Sequence, residues 1–435
     1  MKEIILKTAL GEIRGAELEN EYEFRGVRYA RAARWHAPVP VEKWDGVYDA
    51  VSGYGKKCYQ YHWPEGQFYT KEFYTDPAYE VEESEDCLFM TISVPKNIEK
   101  PAEGYAVAIW YHGGGMVNGW GTEQEFDGEA FAKRGVILCR VNERLNIFGG
   151  FCHPEIVKRD GTGGNYQMLD HFAALEWVRE HIGDFGGNPD KISIFGQSAG
   201  SMGVEAMLCS PRIHGKISGA IMQSGISYGL IRRLTGTVET AAEVGAKFLE
   251  KKGYTFEQFE QLPAAELYAL SDEFRDFAEL YGVGYSPILD NDLLPEMYNE
   301  AVDGGKLPAI SYMAGCCAND MRMDENDLEN SPMYQAASNW CRTLNRQDGK
   351  NAYFYFFKRK MPGDDAGAFH SSELWYVFGT YGRCWRPLDE KDAALSERMT
   401  DAWAAFFKTG CPDTEGDWKP CTEDAFCVKE WDIEG

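Results

Sequence analysis

Residues 196–200 read Gly-Gln-Ser-Ala-Gly and stand between a short apolar run, residues 191–195, and a segment with helical character. A serine pressed into a strand-to-helix turn must adopt a tight backbone conformation, and flanking glycines tolerate the close contacts this creates. The turn lifts the Ser198 hydroxyl above the sheet edge with a helix N-terminus beneath it. Such a hydroxyl can act as a nucleophile. Acyl transfer then requires a base for its proton, an acid to orient the base, and N–H donors for the oxyanion. Ser198 in isolation would read as an ordinary helix N-cap. A second feature argues otherwise: His112-Gly-Gly-Gly115 directly follows the apolar run 106–111. Consecutive glycines let backbone N–H groups reach a substrate carbonyl with no side chain in the way. With the Ala199 N–H they would form a hole of three donors.

The elements that must hold these residues show as apolar runs. Residues 106–111, 136–141, 191–195, 219–222, 309–313 and 353–357 read as strands buried on both faces, as in a parallel sheet covered by helices. Residues 170–182 place Phe172, Leu175, Val178 and Ile182 roughly on one helical face, and Gly183 follows as a stop. Residues 238–280 read as two or three acidic amphipathic helices. This alternation predicts an α/β fold with ligands bound beyond the carboxyl ends of the strands. The glycines after Tyr111, the serine turn after Phe195 and the loop 316–320 after Met313 all fall there.

In an α/β-hydrolase the triad follows the chain order serine, acid, histidine. Of the eight histidines only His214 and His370 follow Ser198. His214 comes too soon to leave room for a strand and an acid, so order nominates His370. For the acid, Asp320 ends a short loop after the run 309–313. Asp324, Asp364 and Asp365 satisfy the order as well, each also explicable as a solvated loop carboxylate.

Composition narrows the reading further. No linker, low-complexity tract or repeat divides the 435 residues, which favours one large domain. A net charge of −25 argues against nucleic acid or anionic membranes as partners. The first eight residues are too short and too charged for a signal peptide, and no stretch approaches the ~18 apolar residues of a membrane span. A cytoplasmic location is the expectation. The twelve cysteines show no zinc-ligand spacing, and Cys411, Cys421 and Cys427 lack a C-x-x-C pair or a nearby histidine. No metal or organic cofactor is implied.

Several segments carry a resemblance. Phe24-Arg-Gly-Val-Arg-Tyr-Ala30, Trp44-Asp-Gly-Val-Tyr-Asp-Ala50, Glu85-Asp-Cys-Leu88, Gly164-Asn-Tyr-Gln-Met-Leu-Asp170, Phe185-Gly-Gly-Asn-Pro189, Gly219-Ala-Ile-Met-Gln-Ser-Gly225 and Phe407-Lys-Thr-Gly-Cys-Pro412 occur in order. Along nearly its whole length the chain resembles the type-B carboxylesterases, which include the cholinesterases and many bacterial esterases, and it looks like a short bacterial member. The resemblance implies an α/β-hydrolase fold: a mostly parallel central sheet flanked by helices. It also implies a single domain over 1–435, with a reduced helical cap inserted at roughly 226–300. The implied activity is that of a serine carboxylesterase acting on small-molecule esters through an acyl-enzyme. Ser198 matches the nucleophile, and His370 matches the catalytic histidine. Asp320 falls where the family usually has glutamate followed by glycine, and Met321 replaces that glycine. Gly114, Gly115 and Ala199 match the oxyanion hole. Arg144 with Asp170, and Arg34 with Glu85, match structural ion pairs.

Departures from the family bear on the substrate. Gln197 replaces the glutamate that cholinesterases carry beside the serine, so choline esters are poor candidates. Met116 replaces the usual aromatic after the glycines and would soften the pocket wall. Trp63 and Phe68 belong to an aromatic-rich loop, 59–79, that lies at the gorge rim in the family. There they could stack on aryl or bulky apolar esters, or simply pack the loop down. Cys58 and Cys87, bridged in secreted relatives, are expected reduced. Two alternatives stay open: a catalytically silent binding protein with the esterase fold, and a hydrolase of amides, lactones or carbamates using the same machinery.

Overall fold

The longest uninterrupted apolar stretches lie at the centre of a 12-stranded sheet. A computed structural model describes residues 2–230, 236–321, 323–324, 326–422 and 426–434, so residues 231–235 of the expected cap lie outside the described residues. The strands are β1 (Lys2–Thr8), β2 (Gly11–Glu17), β3 (Glu21–Arg28), β4 (Val47–Ala50), β5 (Phe89–Pro95) and β6 (Tyr105–Tyr111). There follow β7 (Val136–Val141), β8 (Gly187–Gln197), β9 (Gly219–Gln223), β10 (Ser311–Cys317), β11 (Asn351–Phe357) and β12 (Val428–Trp431). Their spatial order is β1-β2-β3-β5-β7-β6-β8-β9-β10-β11-β12, with β4 on β2. Every neighbouring pair from β7 to β12 is parallel. β1, β2, β3 and β5 extend this block antiparallel. The fold is that of an α/β-hydrolase.

Side chains alternate between two cores, as the strand period of two requires. Val107, Ile109 and Tyr111 of β6 join one cluster with Phe172, Leu175 and Val178 of α1 (Tyr166–His181) and Val204 of α2 (Ala199–Cys209). Ala108 and Trp110 join the other, with Phe195, Phe378, Trp403 and Phe407. Helices therefore cover both faces, and β5, β6, β7 and β9 keep no exposed residue.

Two expectations change in extent. The strand expected at 309–313 runs instead from Ser311 to Cys317, because Cys316 and Cys317 stay paired with Phe356 and Phe357 of β11. Residues read as a loop thus continue the strand, and only Ala318 and Asn319 separate it from Asp320. The acidic segment 238–280 forms four helices: α3 (Val238–Lys252), α4 (Phe256–Glu260), α5 (Ala264–Tyr268) and α6 (Ser271–Glu279). Its breaks are local: Gly253 closes α3 in the left-handed conformation, and Thr255 with Gln258 makes a capping box on α4. The group packs through Phe259 against Trp35 and through Phe274 against Phe151. No helix among the described residues is long and apolar enough to cross a membrane.

Both ion pairs implied by the resemblance are present. The Arg144 guanidinium grips Asp170 in two bonds, at 2.8 and 2.6 Å, and both side chains are buried. Arg34 binds Glu85 the same way, at 2.7 Å twice. Asp170→Asn strands a buried guanidinium without its counter-charge. The expected cost is about 3–5 kcal/mol, read as a lower denaturation midpoint. An unchanged midpoint would show that the pair contributes nothing to stability.

Candidate active site

Sheet register brings the chemistry to one edge. Tyr111 pairs with Gly196, Gln197 with Gln223, and Gln223 with Gly315, so the carboxyl ends of β6, β8, β9 and β10 lie side by side. The chain leaves β6 for β7 on one side, whereas β8 adjoins β6 on the other. Such a reversal of strand order opens a crevice beyond the strand ends. Into it project the glycine loop after β6, Ser198 after β8, Ser224 after β9, Asp320 after β10 and His370 beyond β11.

Ser198 joins β8 to α2 with φ 53° and ψ −121°, a strained conformation for a residue with a side chain. Its N–H donates to the Gln223 carbonyl at 2.9 Å, while its own carbonyl accepts from Met202 N–H at 3.0 Å. Met116, Ser224 and Ser371 also take positive φ, so the strained non-glycine residues concentrate around this crevice.

His370 Nδ1 donates to Asp320 Oδ1 at 2.5 Å. Its Nε2 faces the Gln197 amide nitrogen at 3.2 Å. An N–H of that amide can only donate, so Nε2 carries the lone pair, as a base acting from this nitrogen requires. Asn319 fastens the two loops together: its N–H donates to the Ala368 carbonyl at 2.9 Å, and its Oδ1 accepts Ala368 N–H at 2.8 Å. The rival carboxylates go elsewhere. Asp324, Asp364 and Asp365 are exposed, Asp364 binds Arg386, and Asp324 accepts Asn326 N–H. Burial opposes ionisation of Asp320, yet the His370 charge and its hydrogen bond hold the carboxyl below its ordinary value. Burial likewise works against a charged His370, but the charge and hydrogen bond of Asp320, with the charge of Glu373, raise it above the ordinary histidine value.

The glycine loop is shaped by contact. Gly114 has φ 101°, and a Cβ there would lie 1.9 Å from the Asn118 carbonyl oxygen, so no other residue fits. The Gly114 carbonyl accepts the N–H groups of Val117 and Asn118, both at 3.1 Å. Among the described residues no protein acceptor takes the Gly114 or Gly115 N–H. At the root of the loop, buried His112 holds the Gly113 carbonyl through Nδ1 at 2.8 Å and faces Glu143 through Nε2 at 3.3 Å. Burial disfavours its charge, but the Glu143 carboxylate outweighs this and pushes His112 up to about 9.

These groups border a cavity of about 310 Å³. Trp63, Tyr69, Phe73, Tyr74, Phe126 and Leu374 form its apolar wall, and Ser198, His370, Gln197 and the three glycines line it as well. Trp63 and Gln197 both line it. Met116 does not: its positive φ turns the side chain into the main core, 2 % exposed, and Val117 and Met321 take the wall instead. Phe68 does not line the cavity either: it is 39 % exposed and edge-on to Phe369. Glu123 and Glu125 line the cavity without having been singled out, because nothing in a short acidic segment signals burial. No residue of α3 to α6 lines it. Among the described residues no cluster of His, Cys, Asp and Glu could hold a metal ion.

Comparison with known proteins places this geometry. The profile of the Carboxylesterase family matches residues 2–332 and 322–429. The chain belongs to the carboxylesterase family. Para-nitrobenzyl esterase of Bacillus subtilis (strain 168) is 29 % identical over 94 % of this chain and 91 % of its own length. The pyrethroid hydrolase Ces2e of Rattus norvegicus is 27 % identical, covering 95 % of this chain and 83 % of its own. The solved structure of a thermophilic PNB esterase superposes with a TM-score of 0.82 at 27 % identity, over 99 % of this chain and 96 % of its own. An esterase from Clostridium hathewayi shares the fold, with a TM-score of 0.84 at 24 % identity, over 99 % and 94 % of the two chains. As a carboxylesterase, the chain is a carboxylic ester hydrolase.

The histidine geometry sets a pH dependence. A histidine acting as base must be neutral, so with His370 in that role activity is expected to fall as pH drops through its raised value. The acid limb of kcat/KM is expected above the ordinary histidine value of about 6.5. Asp320→Asn removes the charge that raises it, so the limb moves to lower pH while turnover falls roughly 10³–10⁴-fold. A variant with wild-type turnover would move the acid to another residue.

Proposed function

We propose that this carboxylesterase works through an acyl-enzyme formed on Ser198. His370 serves as base and then acid, Asp320 orients it, and the Gly114, Gly115 and Ala199 N–H groups receive the oxyanion. The observation that supports this most directly is the 2.5 Å His370–Asp320 hydrogen bond in the wall of the cavity that Ser198 also lines. Ser198 Oγ attacks the ester carbonyl as His370 Nε2 accepts its proton, which requires the Gln197 amide to give up that lone pair. The carbonyl oxygen takes the negative charge against the glycine N–H groups, and Asp320 stabilises the imidazolium without taking its proton. Collapse expels the alcohol, which leaves with the proton from His370. A water activated by the same nitrogen then frees the acid and restores Ser198.

The shorter aspartate suits this role because β10 runs on to Cys317, and Asn319 zips the following residues to the histidine loop. The aromatic wall favours aryl or bulky apolar ester groups. We read residues 1–435 as one domain with a cap at roughly 226–300, whose α6 packs against Phe151 and whose helices α3 to α6 do not line the cavity.

The test is hydrolysis of p-nitrophenyl acetate by wild type and Ser198→Ala. Turnover in the wild type and a loss of at least ~10³-fold in the variant are expected. Equal turnover in both would remove Ser198 from the mechanism.

A further inference from the structure

Each oxyanion donor proposed above belongs to a peptide unit whose carbonyl has a partner of its own. The Ala199 N–H shares its peptide with the Ser198 carbonyl, which accepts Met202 N–H at 3.0 Å. The Gly115 N–H shares one with the Gly114 carbonyl, held by the N–H groups of Val117 and Asn118. The Gly114 N–H shares one with the Gly113 carbonyl, and there the partner is a side chain, His112 Nδ1 at 2.8 Å. A trans peptide is planar, with its N–H and C=O pointing opposite ways, so holding the carbonyl aims the N–H.

The His112 ring meets an acceptor at each nitrogen. Nδ1 faces the Gly113 carbonyl oxygen, and Nε2 forms an ion pair with Glu143 Oε2 at 3.3 Å. Neither a carbonyl nor a carboxylate oxygen has a proton to give, so both ring nitrogens carry hydrogen and the ring is an imidazolium. Glu143 is fixed in turn by α1. Its Oε1 accepts Gln167 Nε2–H at 3.3 Å and lies 3.3 Å from His171 Nε2. Gly119 backs the imidazole so closely that a Cβ there would lie 2.4 Å from Nδ1. A line of contacts therefore runs from the helix to the carboxylate, the imidazolium and the Gly113–Gly114 peptide.

We propose that His112 is a positioning residue of the reaction: ionised against Glu143, it aims the Gly114 N–H at the oxyanion, and that donor is lost with the Nδ1 proton. The inference rests on the serine-esterase reading above and makes its oxyanion hole depend on a titratable side chain.

The ring's surroundings decide which proton leaves and when. A carboxylate is the stronger acceptor, so Glu143 keeps the proton on Nε2 and the one on Nδ1 departs first. The bare Nδ1 then meets the Gly113 carbonyl lone pair to lone pair, and the peptide is released. The charged and titratable groups around the ring are Glu143 after β7, Glu123 after the glycine loop and, across Glu143, His171 on α1. Burial works against a charged His112, but the Glu143 carboxylate, helped by Glu123, outweighs it and pushes the ring up to about 9. Burial pushes Glu123 up to about 7, below that range, and holds Tyr111, whose ring lies against His171, far above its ordinary value. Raising the pH through about 9 removes the proton, so activity falls on the alkaline side.

The experiment measures kcat and KM for p-nitrophenyl acetate against pH in wild type, His112→Asn and His112→Ala, with the uncatalysed rate subtracted. Asparagine offers an amide N–H near the place of Nδ1 and does not titrate, whereas alanine offers none. Wild-type kcat is expected to fall with a midpoint near 9. KM should move little, because the donor acts on charge present only in the transition state. Near neutral pH, His112→Ala should lose ~10²–10³-fold in kcat, the worth of one oxyanion donor. His112→Asn should regain at least ~10-fold of that loss and show no alkaline fall. A purely structural role would lower the two variants alike and leave the wild-type profile flat. A flat wild-type kcat up to about pH 10, equal loss in both variants, or an alkaline fall that persists in His112→Asn would each overturn the proposal. If the alanine variant does not fold, the wild-type and asparagine profiles decide alone. Ser198→Ala is run alongside, and turnover there equal to wild type marks failure of the serine-esterase reading instead.

Discussion

A Cβ on Gly200 would sit 2.1 Å from the Tyr111 carbonyl oxygen, and one on Gly196 would meet the Gly200 carbonyl carbon at 2.5 Å. The first turn of α2 is therefore seated directly on the carboxyl end of β6, with no side chain between them. This contact keeps Ser198 in a conformation that costs on the order of 1–3 kcal/mol. Both neighbouring strands contribute, since Gln223 at the end of β9 takes the Ser198 N–H. The glycine loop leaves β6 one residue after Tyr111, so the same contact fixes the distance between Ser198 and that loop. Both are referred to this junction.

Charge holds the parts that backbone packing does not. Glu72, on the helical turn Phe68–Phe73, binds buried Arg386 at 2.7 Å, and Arg386 also reaches Asp364, close to the histidine loop. The aromatic wall and the His370 side of the cavity are thereby tied to one guanidinium. Arg144 and Asp170 anchor the chain after β7 to α1 in the same bidentate way. His112 and Glu143 do so for the root of the glycine loop. With a net charge of −25, carboxylates are plentiful in this chain, and the buried ones are sorted by partner. Asp170 and Glu72 pair with arginine and Asp320 with His370, and each pairing ties separate segments together. Glu123 instead accepts the Tyr74 hydroxyl and shares a hydrogen bond with Glu125.

Much of this was legible in the residues. The apolar runs at β6, β7, β9 and β11 located the central strands, because strands buried on both faces have continuous hydrophobic sequence. Chain order selected His370, and the choice among four aspartates waited for the fold, where only Asp320 reaches the imidazole. β1 to β3 went unread: their alternating, partly exposed faces carry a weaker signal than the central runs. The end of β10 is hidden in the sequence because Ala314 to Cys317, a run of small residues, resembles a loop until β11 pairs with it. Position after the glycines points Met116 at the pocket, and its positive φ sends it into the main core.

By itself the sequence determined the fold class, the strand-turn-helix around Ser198 and the chemistry its residues could support, since each depends on local pattern or on order along the chain. Tertiary structure alone decided which carboxylate meets His370, which side chains form the cavity wall and that two buried glutamates line the same cavity as Ser198. Those outcomes depend on register between strands far apart in sequence and on burial. Neither quantity is written in any short stretch of residues.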